Sequence, residues 1–521
     1  MKEKVQRFFR DYAQLLFWVV LILGLLLRAY KVAEIPYGLN QDEASMGYDA
    51  WSILHYGIDR NGTQLPVHMI SWGSGQNALY AYLSMPFIAL FGLTPLSIRL
   101  VSVLLGSLTL PAVYFLLKPF TSRRTALIGM GLLAIAPWHI LLCRWGLEAN
   151  ILPALFTFAV LFLTKARKNP NYFILSSALF ALALYSYGPS YCVIPVFFCA
   201  AFFVLWFKEK LDRRKLLIGG GAFVLLALPV GLFLLTNLFG LGDISIGPFT
   251  APELTGQARL STALVEGSLL AGFGNFVDNV LLQRDWTSWN TLQPYGVYYL
   301  ISFPFTVLGL VRIWRKRTPL TYILSGWLAS SLLLFVLMNS TNINRVNIIF
   351  IPLILLAAIG LDDVMGRSRK KAAVLILVYA LFFSCFLSDY VDQYAGKPHQ
   401  AFYPDFGEAI QKAVEVADPE ATIYLTGEVN MPYIFTLFYT RTPPREFLET
   451  RVVPRYDVEF QSVTAFGRYV FDIQPLENFA PGVYVIPSHQ SVSYASHYDE
   501  IYKLKYYDVL VVRGMVDIPP A

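Results

Sequence analysis

The sequence has little charge for its length. Asp, Glu, Lys and Arg make up 15% of the 521 residues, whereas 56% are hydrophobic and the mean hydropathy is +0.51. A soluble globule of this size needs more polar surface than that. The composition therefore excludes a soluble protein and indicates a chain that lies largely in a lipid bilayer.

Cysteine is also scarce. Four cysteines, Cys143, Cys192, Cys199 and Cys385, lie in or beside apolar runs, with neither C-x-x-C nor His/Cys ligand spacing. We infer neither a disulfide framework nor a zinc site. The net charge of +6 is small, and the basic residues cluster between apolar runs. They predict membrane topology and not a nucleic-acid surface.

A basic start precedes the first apolar stretch, residues 15–27, so a cleaved signal peptide competes with a membrane helix there. No small-x-small cleavage site follows. Arg28, Tyr30 and Lys31 come instead, which suits an uncleaved helix that ends at the membrane interface.

One short apolar segment, residues 77–91, decides the topology. It contains Pro86, and if it crossed the membrane, the basic pair Arg123 and Arg124 would be on the wrong side. We therefore predict an interfacial or re-entrant helix within a long first outer loop, residues 30–97. About eleven crossings then keep every basic cluster inside. The predicted crossings are 11–28, 98–117, 125–142, 151–164, 171–187, 190–207, 216–237, 295–311, 319–338, 346–361 and 372–388.

Beyond residue 388 the composition changes. Apolar runs shorten to segments such as TIYL, GVYVIP and DVLVV, with an amphipathic stretch at 406–416 between them. This alternation predicts a small α/β domain, residues 389–521, outside the cytoplasm. It has no glycine-rich phosphate loop, so we interpret it as a lid or acceptor-docking module. Residues 1–388 form the predicted transmembrane domain, and no internal repeat suggests the halves of a transporter.

An acidic pair, Asp42 and Glu43, stands in the first outer loop where an irregular segment leads into a predicted helix. Asp42 or Asn40 would suit the helix N-cap, and Glu43 in the first turn would match the helix dipole. That structural explanation competes with a functional one. Carboxylates close to a bilayer are costly to desolvate, and a carboxylate facing a cavity can act as general base for a hydroxyl. We favour the functional explanation.

Two outer turns add charge on the same predicted side. The first, residues 143–150, carries Arg144 and Glu148, and it could equally be only a turn. The second, residues 339–347, carries Asn344 and Arg345 at the start of an uncharged span. Snorkelling would explain Arg345, but a guanidinium also matches phosphate well. We predict that Arg345 and Arg144 bind phosphate and that Asn344 lines the substrate cavity.

Aromatic outer segments could stack on a sugar ring. Tyr187 lies in a short outer turn, and Trp286 lies in a Trp- and amide-rich stretch of a long outer loop. Both segments could also be ordinary interfacial residues. His55 and His68 lack metal-ligand spacing, and we interpret them as structural.

These motifs resemble the GT-C fold glycosyltransferases, in particular the protein O-mannosyltransferase-like branch that includes the lipid A aminoarabinose transferases (glycosyltransferase families 39 and 83). The resemblance covers about residues 10–388. It rests on the acidic pair, the Arg123-Arg124 turn, the Arg144–Glu148 turn, and Asn344-Arg345 opening a span with Pro352. It departs from the family in having no basic residue in the 187–191 turn and no lysine near the start of the interfacial helix.

The resemblance implies an inverting transfer of a sugar from a polyprenyl-phosphate donor to a hydroxyl acceptor on a protein, a lipid or a cell-envelope glycan. Asp42 would be the general base and Glu43 the acceptor-positioning acid. Arg345 would hold the donor phosphate, and Glu148 would line the cavity. A cell-membrane location follows, with the active site outside the cytoplasm.

Other functions are compatible with a polytopic chain of this kind. A flippase or exporter of lipid-linked oligosaccharides would carry charges within its spans, and a pyrophosphate-dependent glycan ligase would favour an outer loop rich in Arg and His. Neither feature is evident in the sequence. Asp42, Glu43 and Glu148 could hold Mg²⁺ or Mn²⁺. A monophosphate donor and a hydroxyl acceptor do not require a metal, so we predict no cofactor.

Overall fold

The computed structural model describes residues 12–208, 211–256, 269–285, 287, 289–392, 401–456, 458–473, 478–491, 498–514 and 516–517. The chain divides into two compact units. The first, which we call the membrane unit, comprises residues 1–32, 99–232 and 260–392. The second, which we call the loop unit, comprises residues 33–98, 233–259 and 393–521.

Long apolar helices dominate the described residues. Seven of those helices are long and apolar enough to cross a membrane, and the chain is therefore a multi-pass membrane protein. The total of eleven crossings and their orientation stay predictions. The seven are Pro95–Leu117, Glu148–Ala166, Ser190–Phe207, Arg213–Phe239, Pro319–Leu337, Asn347–Met365 and Arg369–Tyr390, and shorter apolar helices are Ala13–Ala29, Leu79–Phe91, Asn171–Leu184 and Leu269–Leu281.

Two predicted crossings have the wrong boundaries. The segment 125–142 forms two helices, Arg123–Ile135 and Pro137–Leu142, because the proline takes the first position of a new helix. The crossing predicted over 295–311 begins only at Phe303, where the helix Phe303–Lys316 starts. Before it the backbone is irregular, since Gly296 and Tyr299 have φ of +70° and +63°.

Arg28 explains how the helix break at Pro137 is stabilised. The sequence suggested an interfacial residue, but the side chain is fully buried. Its guanidinium donates to the carbonyls of Ala134 and Leu133, at 3.2 and 3.0 Å. These carbonyls lie in the last turn of a helix, where no following N–H can satisfy them.

Two glycines bring the helices Phe303–Lys316 and Phe350–Met365 into close contact in the membrane unit. A Cβ atom on Gly309 would lie 1.9 Å from the carbonyl oxygen of Leu356, and one on Gly360 would lie 2.0 Å from that of Phe305. Small residues at such crossings let two helix backbones approach each other.

We expect Gly309→Ala to destabilise the protein by about 1–3 kcal/mol, because the helices must separate to admit one methyl group. The measurement is the thermal unfolding midpoint of the purified protein. Gly221→Ala is the matched control, since a Cβ atom there would meet no other atom within 4 Å. Equal midpoints for the two variants would contradict the packing.

The small C-terminal sheet domain predicted from the sequence is present. A sheet of six strands has the order Glu500–Lys503, Tyr507–Val512, Gly482–Pro487, Ile423–Thr426, Tyr469–Ile473, Ala465–Phe466. The strand Ile423–Thr426 is parallel to both its neighbours, and the other pairs are antiparallel. The helices are Phe406–Val416, Pro432–Thr440, Pro444–Thr450 and Ser488–Ser491, and Asn478–Phe479 pairs with Val516–Asp517.

The remainder of the loop unit comes from the first outer loop and from residues 233–259. Two helices, Gln41–Tyr56 and Leu79–Phe91, pack against each other. The short strands are His68–Met69 with Gln76–Asn77, and Ile244–Ile246 with Phe249–Ala251. The predicted helix at 77–91 is thus present, and its interfacial position stays a prediction.

Candidate active site

The acidic pair lies in the first turn of the helix Gln41–Tyr56. Asn40 is the N-cap, and its side-chain oxygen accepts a hydrogen bond from the backbone N–H of Asp42 at 2.9 Å. Glu43 closes the reciprocal bond, because its Oε2 accepts from the backbone N–H of Asn40 at 3.0 Å. Asn40 and Glu43 therefore form a capping box, the arrangement that satisfies two N–H groups at the helix start.

Asp42 and Glu43 consequently differ in their surroundings. Glu43 is fully buried, and one of its oxygens is committed to the helix start. Asp42 supplies only its backbone N–H to the cap, and its residue is half-buried. The positive end of the helix dipole stabilises a carboxylate at this position. Asp42 is thus the member of the pair whose carboxylate is not needed for capping.

The substitution Glu43→Gln separates a capping role from a charge role. Glutamine also completes a capping box, so we expect an unchanged unfolding midpoint. Glu43→Ala removes the cap partner and should cost about 0.5–2 kcal/mol. If Glu43 positions an acceptor through its charge, the Gln variant will show a raised KM for the acceptor with normal stability. An unchanged KM would leave Glu43 with only the capping role.

The helix that carries the pair is held against the C-terminal part of the loop unit. Tyr48 donates its hydroxyl to the carbonyl of Thr442 at 2.6 Å, and the Asn40 amide donates to the carbonyl of Ala401 at 2.8 Å. At Gly47 a Cβ atom would lie 2.8 Å from the Phe438 ring. The first outer loop and the segment 401–442 are thus in contact around this helix.

The same helix contributes Asp49 to a buried charged cluster that also contains Asp59 and Arg60 and that the sequence did not reveal. All three side chains are at most 1% exposed. Arg60 donates to the Ser45 hydroxyl at 2.8 Å, and its Nη1 lies 3.8 Å from Asp49 Oδ2. No residue spacing marks such a cluster in a sequence, because Arg60 returns to the helix through an irregular loop.

Burial changes the ionisation of the two carboxyl groups in this cluster. Burial is the largest cause that raises the pKa of Asp59 to about 7, and the nearby Asp49 adds to it. The backbone N–H groups of Thr63 and Asn61, both hydrogen-bonded to Asp59, act in the opposite direction. Burial also raises the pKa of Asp49, against the opposing effect of Arg60. Burial lowers the pKa of Arg60, but the nearby Asp49 and Asp59 help to raise it overall, so the guanidinium stays charged.

The predicted phosphate ligand Arg144 is in the membrane unit, where it is 2% exposed. Its guanidinium donates to the carbonyls of Leu27, Arg28 and Tyr30, at 3.2, 3.3 and 2.6 Å. These carbonyls end the helix Ala13–Ala29, where a cation is favourable. The guanidinium also lies 5.6 Å from the centre of the Tyr390 ring.

Glu148, Asn344 and Arg345 lie in two turns of the membrane unit that are in contact. Glu148 begins a short 3₁₀ helix and is 5% exposed. Asn344 and Arg345 are half-buried, in the turn before the 3₁₀ helix Asn347–Ile349 and not in the span itself. Asn347 joins the two turns, because its amide donates to the carbonyl of Ala149 at 2.7 Å.

Arg345 is held by its own turn. Its backbone N–H donates to the Asn342 side chain at 2.9 Å, and Nη1 donates to the carbonyl of Ser340 at 2.8 Å. Asp285 fixes the same turn by accepting from the backbone N–H of Ile343 at 2.9 Å. The salt bridges of the described residues do not include Arg345. Its guanidinium keeps further N–H groups for an anionic ligand.

The structure describes one of the two remaining predicted residues. Tyr187 is half-buried in the turn that precedes the helix Ser190–Phe207. Trp286 lies outside the described residues. Within the described part of the chain, no group of three or more His, Cys, Asp or Glu residues has metal-ligand geometry.

Known proteins resemble this chain in sequence and in fold. Residues 77–233 match the family described as dolichyl-phosphate-mannose-protein mannosyltransferase. No curated protein sequence matches the chain. Among solved structures, ArnT from Cupriavidus metallidurans in the apo state matches with a TM-score of 0.56 and 12% identity, over 96% of this chain and 98% of that one.

Two further structures carry the same fold. ArnT from Cupriavidus metallidurans bound to undecaprenyl phosphate has a TM-score of 0.59 and 14% identity, over 96% of this chain and 98% of that one. The Archaeoglobus fulgidus oligosaccharyltransferase tethered to an acceptor peptide has a TM-score of 0.51 and 14% identity, over 83% of this chain and 64% of that one. These matches confirm the resemblance found in the sequence, and the chain has the fold of the GT-C glycosyltransferases.

Proposed function

We propose that this protein transfers a sugar from a polyprenyl-phosphate donor to a hydroxyl acceptor at the outer face of the membrane. The observation that carries the proposal is the half-buried Asp42 carboxylate, which stands at a capped helix start while Glu43 supplies the cap. The GT-C fold supports it, and the ArnT of this fold from Cupriavidus metallidurans has been solved bound to undecaprenyl phosphate.

The reaction is a single displacement. Asp42 accepts the proton of the acceptor hydroxyl, and the acceptor oxygen forms a bond to the anomeric carbon of the sugar. The bond from that carbon to the phosphate oxygen breaks, and its electron pair leaves with the polyprenyl phosphate. Because attack and departure are on opposite sides of the carbon, the anomeric configuration inverts.

The leaving phosphate gains negative charge, and fixed cations stabilise it. We assign the direct contact to Arg345, whose turn holds it through a single side-chain hydrogen bond to a carbonyl. Arg144 donates to three backbone carbonyls, so its contribution is the field of a buried positive charge. Glu148, Asn344 and Tyr187 would line the donor side of the site.

The side of the membrane follows from the basic clusters. Arg123-Arg124 and the Arg367–Lys371 segment precede or end apolar helices, and cytoplasmic loops collect such residues. With those clusters inside, the first outer loop and the C-terminal domain are extracytoplasmic.

Lipid analysis of cells that lack the protein tests this proposal. We expect a polyprenyl-monophosphate sugar to accumulate and to return to its normal level when the wild-type chain is restored. Expression of the Asp42→Asn variant in the same cells should leave the level of this lipid elevated. Accumulation of a pyrophosphate-linked glycan instead would overturn the monophosphate donor and favour a glycan ligase.

A further inference from the structure

A small cavity of about 80 Å³ lies within the loop unit, beside the charged cluster. Arg60, Asn61, Tyr433, Arg451 and Tyr456 contribute to its wall. The ionisable side chains on this wall are guanidinium and phenol groups, and the described lining includes no carboxylate. Such a wall favours a negatively charged occupant.

Three buried donors belong to residues of this wall and form no hydrogen bond among the described residues. They are Nε and Nη1 of Arg60 and Nδ2 of Asn61, and Nη1 lies 3.8 Å from Asp49 Oδ2. Arg60 is itself 1% exposed and is held in place by Ser45 and by the Trp72 ring, 4.7 Å from its guanidinium carbon. Buried donors without acceptors are costly, which favours a hydrogen-bond acceptor beside them.

A second guanidinium completes the wall. Arg451 donates to the side-chain oxygen of Asn61 at 2.9 Å. The amide nitrogen of Asn61 takes no part in that hydrogen bond. Two arginines and an amide provide the forked donors that match a carboxylate or a phosphate.

The cavity is large enough for one such group and opens toward the surface. Its volume of about 80 Å³ exceeds the space that a single water molecule requires. Tyr456 on its wall is 52% exposed, so the charged end of a larger molecule can enter.

Helix geometry relates the cavity to Asp42. Asp42, Ser45 and Asp49 are spaced i, i+3 and i+7 and therefore share one face of the helix Gln41–Tyr56. Ser45 and Asp49 both contact Arg60. With a rise of about 1.5 Å per residue, Arg60 meets this face about 5 to 10 Å along the axis from Asp42.

We propose that this cavity binds an oxyanion group of the acceptor, a phosphate or a carboxylate, while the acceptor hydroxyl lies at Asp42. The acceptor is therefore an anionic molecule that carries its charged group apart from the hydroxyl that receives the sugar. This inference rests on the proposed function for the identity of the acceptor, and the binding of the anion can be measured without turnover.

The binding test uses purified full-length protein with inorganic phosphate as the probe. We expect a saturable rise in the thermal unfolding midpoint that needs at least tenfold more phosphate in Arg451→Gln and in Asn61→Leu. Arg513→Gln, an exposed surface substitution, is the matched control and should behave as wild type. Arg345→Ala should keep the part of the response that depends on Arg451, which separates this cavity from the proposed donor site.

The kinetic test uses an anionic acceptor and its neutral methyl ester. We expect Arg451→Gln to raise KM for the anionic acceptor at least tenfold, with kcat within a factor of two, and to leave KM for the ester unchanged. Repeating the binding test with acetate distinguishes a carboxylated acceptor, which predicts stabilisation by both anions, from a phosphorylated one, which predicts stabilisation by phosphate alone.

Three results have distinct meanings. The absence of saturable phosphate binding, or equal affinity in Arg451→Gln and wild type, would overturn the site. Phosphate binding with an unchanged KM in Arg451→Gln would overturn the assignment to the acceptor. Phosphate binding that depends on Arg451, in a protein that transfers sugar to no acceptor, would overturn the proposed function and the acceptor assignment while the anion site stands.

Discussion

Asp42→Asn should lower the rate of sugar transfer about 10²- to 10⁴-fold, the range expected when a general base is removed. The substitution keeps the size of the side chain and the backbone N–H that Asn40 accepts. The loss should fall on kcat with the donor affinity unchanged, because the carboxylate acts on the acceptor proton. The measurement is transfer from a radiolabelled polyprenyl-phosphate sugar in isolated membranes, together with equilibrium binding of the donor.

A matched control is Asp418→Asn, which also removes one carboxylate from the loop unit at an exposed position. It should retain wild-type activity. Loss of the charge at the helix start will lower the stability of Asp42→Asn by about 0.3–1 kcal/mol, too little to unfold the protein. Normal transfer by Asp42→Asn would end its assignment as the base.

Arg345→Ala should weaken binding of the polyprenyl-phosphate donor about 10- to 100-fold, because a hydrogen bond to a charged group contributes about 1.5–3 kcal/mol. Arg345→Lys keeps the charge but not the planar fork and should recover part of this affinity. The measurement is the dissociation constant for the donor, determined without acceptor so that chemistry does not contribute.

The control for this prediction is Arg315→Ala, an exposed arginine at the end of the helix Phe303–Lys316. Removing it should leave donor affinity as in the wild type. The Arg345 side chain also donates to the Ser340 carbonyl, so unfolding midpoints must accompany the binding data. Unchanged donor affinity in Arg345→Ala would reduce this arginine to an interfacial residue.

The sequence predicted the parts of the fold that depend on local pattern. Apolar length identified the seven described helices that can cross a membrane. Short apolar runs identified the strands Ile423–Thr426, Gly482–Pro487 and Tyr507–Val512, and amphipathic spacing identified the helix Phe406–Val416. These signals are local because each element buries its own apolar face.

Contacts between distant segments were not predictable in this way. The amide of Asn40 binds the carbonyl of Ala401, and Arg451 binds the side chain of Asn61. Each pair joins the first outer loop to the C-terminal part of the chain. No periodic pattern in the sequence indicates such a pair. The proposed anion cavity depends on the contact between Arg451 and Asn61.

Residue type alone also did not show which role each charged side chain has. Arg144 and Arg345 both looked like phosphate ligands in outer turns. The structure shows that Arg144 binds the carbonyls at the end of the helix Ala13–Ala29, whereas Arg345 is held only by its own turn. Glu43 likewise belongs to a capping box that its spacing from Asn40 allowed but did not require.

The most direct test of the proposed reaction follows both parts of the donor at once. Purified protein would receive an acceptor and a polyprenyl-phosphate sugar labelled separately in the sugar and in the phosphate. We expect one free polyprenyl phosphate for each sugar transferred, with the anomeric configuration of the product inverted. Movement of the intact donor across a vesicle membrane without cleavage, or a product that retains the anomeric configuration, would contradict the account.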